Sequence, residues 1–123
     1  MNPTKWSLVI MEASPSQNVW DRWHWRKKWE SKAQWKLLIR GAAGFIYIPK
    51  ATGKRSLLVH RHGKQTLDPS NLIGGLKGVI DDLVQLGLLV DDKPEFLEIK
   101  EPLQARLNGR EKPHTILILE EVL

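Results

Sequence analysis

Asp68, Asp91, Asp92 and Lys77 are the residues of this sequence whose types and spacing best suit chemistry. Carboxylates that converge supply the hard oxygen donors preferred by Mg²⁺ or Mn²⁺, with several waters retained. Such an ion activates water and stabilises the charge that builds on a phosphodiester during cleavage. A lysine nearby, such as Lys77, stabilises the same charge. Each residue also has an ordinary role. Asp68 with Pro69 makes a good helix start, and Asp91-Asp92 can simply end a strand or turn. Spacing alone leaves both readings open. Much other chemistry lacks its materials. Without cysteine there is no disulfide framework, thiolate zinc site or cysteine nucleophile. No glycine-rich phosphate loop, serine-nucleophile motif or dinucleotide fingerprint occurs, so no small-molecule cofactor is expected. His24, His60, His62 and His114 lack zinc-ligand spacing beyond the i, i+2 pair, and ordinary surface roles suit them better.

The chain carries 19 Lys and Arg against 14 Asp and Glu in 123 residues, a formal charge of +5. A basic balance attracts polyanions, nucleic acid before others. Basic residues crowd residues 22–64, whereas acids gather at Asp81, Asp82, Asp91, Asp92, Glu95 and Glu98. Five of the six tryptophans lie between Trp20 and Trp35, interleaved with Arg22, Arg26, Lys27, Lys28, Lys32 and Lys36. On a helix Lys28, Lys32 and Lys36 form an i, i+4 row with Trp25 and Trp29 beside it. Indoles can stack on bases while neighbouring cations neutralise phosphate. Arg22, Arg61 and Lys64 complete the candidate DNA-contacting set. Filling a core or an interface suits Trp20, Trp23 and Trp35 better, with Leu38 beside them. For Trp25 and Trp29 the two roles are balanced.

The elements that must position these residues read in the order βαβαββ. Residues 6–11 form a first strand, ended by the turn cluster Ser14-Pro15-Ser16-Gln17-Asn18. A helix runs from about Trp20 to Arg40, with Gly41 placed to stop it. Phe45 to Pro49 shows no clear state, and Lys54 to His62 reads as a second strand. Asp68-Pro69 opens a second helix that reaches Leu86 and stops at Gly87. Leu72, Leu76, Val79, Ile80 and Leu83 share its core face, opposite Asn71, Gly74, Lys77, Gly78, Asp81 and Gln85. Strands over 95–101 and 115–122 follow. The pattern predicts a single α+β domain over 1–123, a small mixed sheet with two main helices packed on it. Hydrophobic residues at 41% suffice for one core. The first apolar run, Trp6 to Met11, is too short for a secretory or membrane segment, so a cytoplasmic protein without a membrane partner is expected.

Three segments carry a resemblance. Leu67-Asp68-Pro69-Ser70-Asn71-Leu72, then Lys77-Gly78-Val79-Ile80-Asp81-Asp82, then Gly87-Leu88-Leu89-Val90-Asp91-Asp92-Lys93-Pro94 together resemble the central signature of RusA-type Holliday junction resolvases. In that family an Asp-x-Asp-Asn-Leu segment opens a helix, a lysine follows, and a Gly-apolar-apolar-x-Asp-Asp segment ends the unit. Ser14-Pro15-Ser16-Gln17-Asn18 and Arg22 are similar to the family's N-terminal Pro-Ser-x-Asn segment and trailing arginine. The likeness covers nearly the whole chain, with residues 67–94 its specific part. It implies Mg²⁺-dependent cleavage of four-way DNA junctions in recombination and repair, by homodimers often encoded by prophages. Asp68 and Asp92 match the motif's catalytic aspartates, Asp91 the neighbouring acid and Lys77 the lysine. Two departures stand out. Ser70 replaces the second aspartate of Asp-x-Asp, removing a negative charge and a strong donor. The spacing from Asn71 to Lys77 also differs by three residues, near Gly74-Gly75.

One straight helix over 71–86 would be about 24 Å long, and the extended return over 88–92 covers at most about 17 Å. One chain would therefore struggle to bring Asp68 and Asp92 onto one ion. Two such helices, antiparallel across a two-fold axis and closely packed at Gly74, Gly75 and Gly78, would form a composite site. A dimer also matches a two-fold DNA target. The expected function is a Mg²⁺- or Mn²⁺-dependent endonuclease on branched DNA, weakened by Ser70 unless water or Glu12 replaces the missing carboxylate. The alternatives are a non-catalytic junction-binding relative and a basic domain whose tryptophan helix binds a protein.

Overall fold

A computed structural model describes residues 4–123. Strand β1 (Lys5–Ile10) alternates exposed and buried residues, turning Trp6, Leu8 and Ile10 inward. Ser16 then caps α1 (Gln17–Arg22), its Oγ accepting from the Val19 N–H at 3.1 Å. The single helix expected over 20–40 is instead two. Trp23 has an extended backbone, and His24 caps α2 (Trp25–Ala43) through its Nδ1. The second helix runs past Gly41 and stops at Gly44. Gly41 costs such a helix only about 1 kcal/mol relative to alanine, which the packing of its neighbours outweighs.

Strand β2 (Arg55–Gly63) follows the 44–54 connection, in which Phe45–Pro49 forms neither helix nor strand. The second expected helix is also broken, into α3 (Pro69–Gly74) and α4 (Lys77–Gln85). Gly75 lies against the backbone of Pro15, where a Cβ would fall 1.8 Å from the carbonyl oxygen. Gly78 likewise receives the Trp20 ring and the Lys32 stem. These glycines therefore admit segments of their own chain, and the helix-to-helix contact between subunits expected of them loses its basis. The far end behaves as expected. Gly87 has φ +79°, the Leu88 N–H reaches Leu83 O and the Gly87 N–H reaches Val84 O, the paired bonds of a Schellman stop.

The sheet contains β1, β2, β3 (Leu97–Ile99), β4 (Leu103–Arg106) and β5 (His114–Glu121) in the order β1-β5-β2-β3. β5 is antiparallel to both β1 and β2, whereas β3 and β4 lie parallel to successive parts of β2. The chain is α+β with a mixed sheet, as its pattern predicts. The described residues hold two more helices and one more strand than the pattern suggested, because both helices are interrupted and β4 was not legible. The core gathers Leu8, Trp35, Leu57, Leu83, Leu117 and others, and all five apolar residues on the expected face of α3–α4 are buried.

Arg55 is 1% exposed. Its guanidinium donates to Leu88 O at 3.0 Å and Pro49 O at 2.8 Å, and lies over the Trp6 ring at 4.7 Å. It thus ties the loop before β2 to the segment after α4. Truncating it would strand the buried Leu88 carbonyl and free the part-buried one of Pro49.

Candidate nucleic-acid interface

The acidic residues come from the two ends of the α3–α4 unit. Asp68 occupies the N-cap position of α3, but its side chain makes no capping bond and is exposed. Ser70 is exposed in the first turn, and Lys77 is exposed as the first residue of α4. Beyond α4, Asp91 Oδ1 accepts the Asp92 N–H at 2.7 Å. That bond holds the Asp91 carboxyl below the ordinary carboxylate range, whereas Asp92 is exposed. Among the described residues, no three His, Asp or Glu side chains are placed to share a metal ion.

Around Asp68 the structure is more specific. The Asn18 N–H donates to Asn71 Oδ1 at 3.1 Å, so the 14–18 segment meets the first turns of α3. Pro15 closes on Gly75, as described above. Ser14 is fixed from the sheet side, its N–H on Thr115 Oγ1 at 3.0 Å and its carbonyl accepting from Arg61 Nε at 2.8 Å. Leu67, immediately before Asp68, is clamped by the Gln104 amide, which donates to its carbonyl at 2.6 Å and accepts its N–H at 2.8 Å. Gln104 belongs to β4, the strand the pattern missed. Nothing in its sequence context marks it as a positioning residue.

The cations divide into free and engaged. Arg61 completes its bonding on Gln65 O at 3.0 Å, and burial lowers its pKa. It builds the loop instead of offering a free charge. Lys32 pairs with Asp81 at 3.3 Å, Lys36 donates to Gln85 at 2.5 Å, and the Lys28 ammonium lies over the Trp20 ring at 5.6 Å. The expected lysine row thus leans on α4 and Trp20 and is only partly available to phosphate. Arg22 and Lys64 are exposed, and so are Trp25 and Trp29, at 64% and 66%. Arg26 lies over the Trp25 ring at 5.5 Å. Trp20 and Trp35 are buried as expected, but Trp23 is only half-buried beneath Lys27. Trp23 lines a groove of about 550 Å³ with Glu12, Pro15, Ser16, Arg61 and Lys64. Burial raises the pKa of Glu12 there, against the pull of Lys27, and its Oε2 has no partner.

His60, His62 and His114 form a stack across β2 and β5, with ring centroids 4.2 and 4.1 Å apart. Burial and the neighbouring rings lower the His62 pKa, favouring neutral imidazole. No protein-family model and no curated protein matches the chain.

Proposed function

We propose that this chain is a branched-DNA-handling protein similar to RusA-type resolvases, binding four-way junctions as a homodimer. One observation carries the reading. The two sequence segments that resemble the family's N-terminal and central motifs are far apart in the chain, yet they are joined at Asn18–Asn71 and Pro15–Gly75. A local likeness arising by chance gives no reason for those segments to meet. The uncommitted carboxylate of Asp68 and the exposed Lys77 lie in the same unit. Cleavage with Mg²⁺ or Mn²⁺ is expected to be slow. Ser70 offers a neutral oxygen where the family has a carboxylate, and among the described residues no three His, Asp or Glu side chains gather. A non-catalytic junction-binding relative is the second reading, favoured by Ser70 and by the local engagement of Asp91.

A synthetic four-way junction tests both readings. Wild type is expected to bind it in preference to linear duplex and to cut it slowly or not at all. Ser70→Asp is expected to raise metal-dependent cleavage by at least about tenfold, a free-energy gain of about 1.4 kcal/mol at the transition state. A Ser70→Asp variant that binds but never cuts favours the second reading. Rapid wild-type cutting that persists in Asp68→Asn rejects the site, and absence of junction binding rejects the function.

A further inference from the structure

β1 is the terminal strand of the sheet. Thr4 O accepts from the Glu121 N–H at 2.8 Å, which sets the alternation of the ladder. The backbone groups of Thr4, Trp6, Leu8 and Ile10 face β5, and those of Lys5, Ser7 and Val9 face outward. Among the described residues no strand pairs with that outer edge. Proteins usually blunt such an edge with proline, a bulge or several charges. Within Lys5–Ile10 only Lys5 does so.

Beside the open edge lies a groove of about 490 Å³ between β1 and the end of α2. Val9, Met11, Leu37, Leu38, Phe45 and Ile46 line it, and no charged side chain does, although 27% of the chain is charged. Phe45 is 92% exposed, Leu37 68% and Met11 60%. Together these side chains leave bare on the order of 600 Å² of apolar surface, the upper range for a soluble monomer. A partner's share of a standard interface is about 800 Å², which the edge backbone would help to supply. Without cations the groove is no phosphate site.

We infer that a second copy of this chain covers the groove, with the two β1 strands pairing antiparallel about a two-fold axis at Leu8. That register sets Ser7 opposite Val9 and Lys5 opposite Met11 on the open face, and Trp6 opposite Ile10 on the helical face. Outward-facing groups bond in pairs, and each side chain stays on its own side of the sheet. The two-fold sets the apolar end of each α2 and its Phe45 beside the partner's β1, so every copy contributes both strand and cover. Within Lys5–Ile10 the one charge taken in, Lys5, is long enough to reach solvent. The α3–α4 faces, whose glycines are filled from within, are not needed for this contact. The inference supplies the interface for the proposed homodimer, but its geometry stands without DNA.

Sedimentation of the full chain without DNA tests it. Wild type is expected at twice its 14.2 kDa mass. Ser7→Pro removes an outward N–H while leaving the β5 ladder intact. Phe45→Glu places a charge in the apolar contact. Each is expected to weaken dimerisation at least about 100-fold, equivalent to about 2.8 kcal/mol, with far-UV circular dichroism unchanged. Phe45 is too exposed for its replacement to unfold the core. A monomeric wild type overturns the inference, whether the edge then stays bare or takes a foreign strand. A dimer that both variants leave intact also overturns it. Junction binding by the same samples is scored separately, so loss of the DNA reading and loss of the interface cannot be confused.

Discussion

Asp82 lies in the middle of α4, 1% exposed, with one carboxylate oxygen lacking a partner. Burial raises its pKa to about 6, Lys32 and Lys36 oppose the rise, and Asp81 adds to it. A carboxyl whose folded pKa exceeds its unfolded value destabilises the fold when ionised. Stability should fall as pH rises from about 4 to about 6, then level off. Asp82→Asn removes that penalty and keeps the shape. It is expected to stabilise the protein by on the order of 2 kcal/mol at pH 8 and by little at pH 4. Denaturant titrations at a series of pH values check this, and a pH-independent difference would discard the assignment. Asp81, one residue earlier, faces Lys32 and is partly solvated. Adjacent acids thus differ because helical geometry turns one toward the core.

At the scale of elements, the breaks between α1 and α2 and between α3 and α4 fold the 14–18 segment onto the candidate site. Gly75→Ala would drive a Cβ into the Pro15 carbonyl, so it is expected to cost about 3 kcal/mol or more and to weaken junction binding. Gly41→Ala, where a Cβ meets nothing within 4 Å, should instead add about 0.5–1 kcal/mol. Melting temperatures of the pair decide it, and equal shifts would reject the packing argument. The contrast also explains what the sequence could disclose. The stop at Gly87, the core face from Leu72 to Leu83, and β2 follow from local chemistry and periodicity, so they were legible. The interruption at Gly75 accompanies the approach of Pro15, and beside the one at Trp23 the Trp20 ring lies against Gly78. Neither contact leaves a periodic trace. β4 is Leu-Gln-Ala-Arg, without alternation, and exists because the end of β2 offers an edge. In the site, Asp68 stands at a helix start as its type suggests, whereas Lys77, expected inside a helix, opens α4 because of the break at Gly75. The bonds of Arg61 to Ser14 O and Gln65 O leave no trace in the sequence, because their acceptors are backbone carbonyls, which no residue type records.

The whole molecule carries its positive charge on surfaces where several lysines already have partners. The tryptophans of α2 therefore gain weight. Trp25 and Trp29 pack little, so replacing both with alanine should leave the melting temperature within about 2 °C, as surface changes do. If they stack on unpaired bases, junction affinity should fall by about tenfold or more, in fluorescence anisotropy at fixed salt. Unchanged affinity would move them out of the DNA contact. The two margins of the sheet also differ. One is a continuous six-residue strand, and the other is divided between three-residue β3 and four-residue β4, with Pro102 between them. Short, interrupted margins are poor templates for strand addition. A pair joined through β1 would therefore show only these interrupted margins to a third copy, and they resist further strand addition.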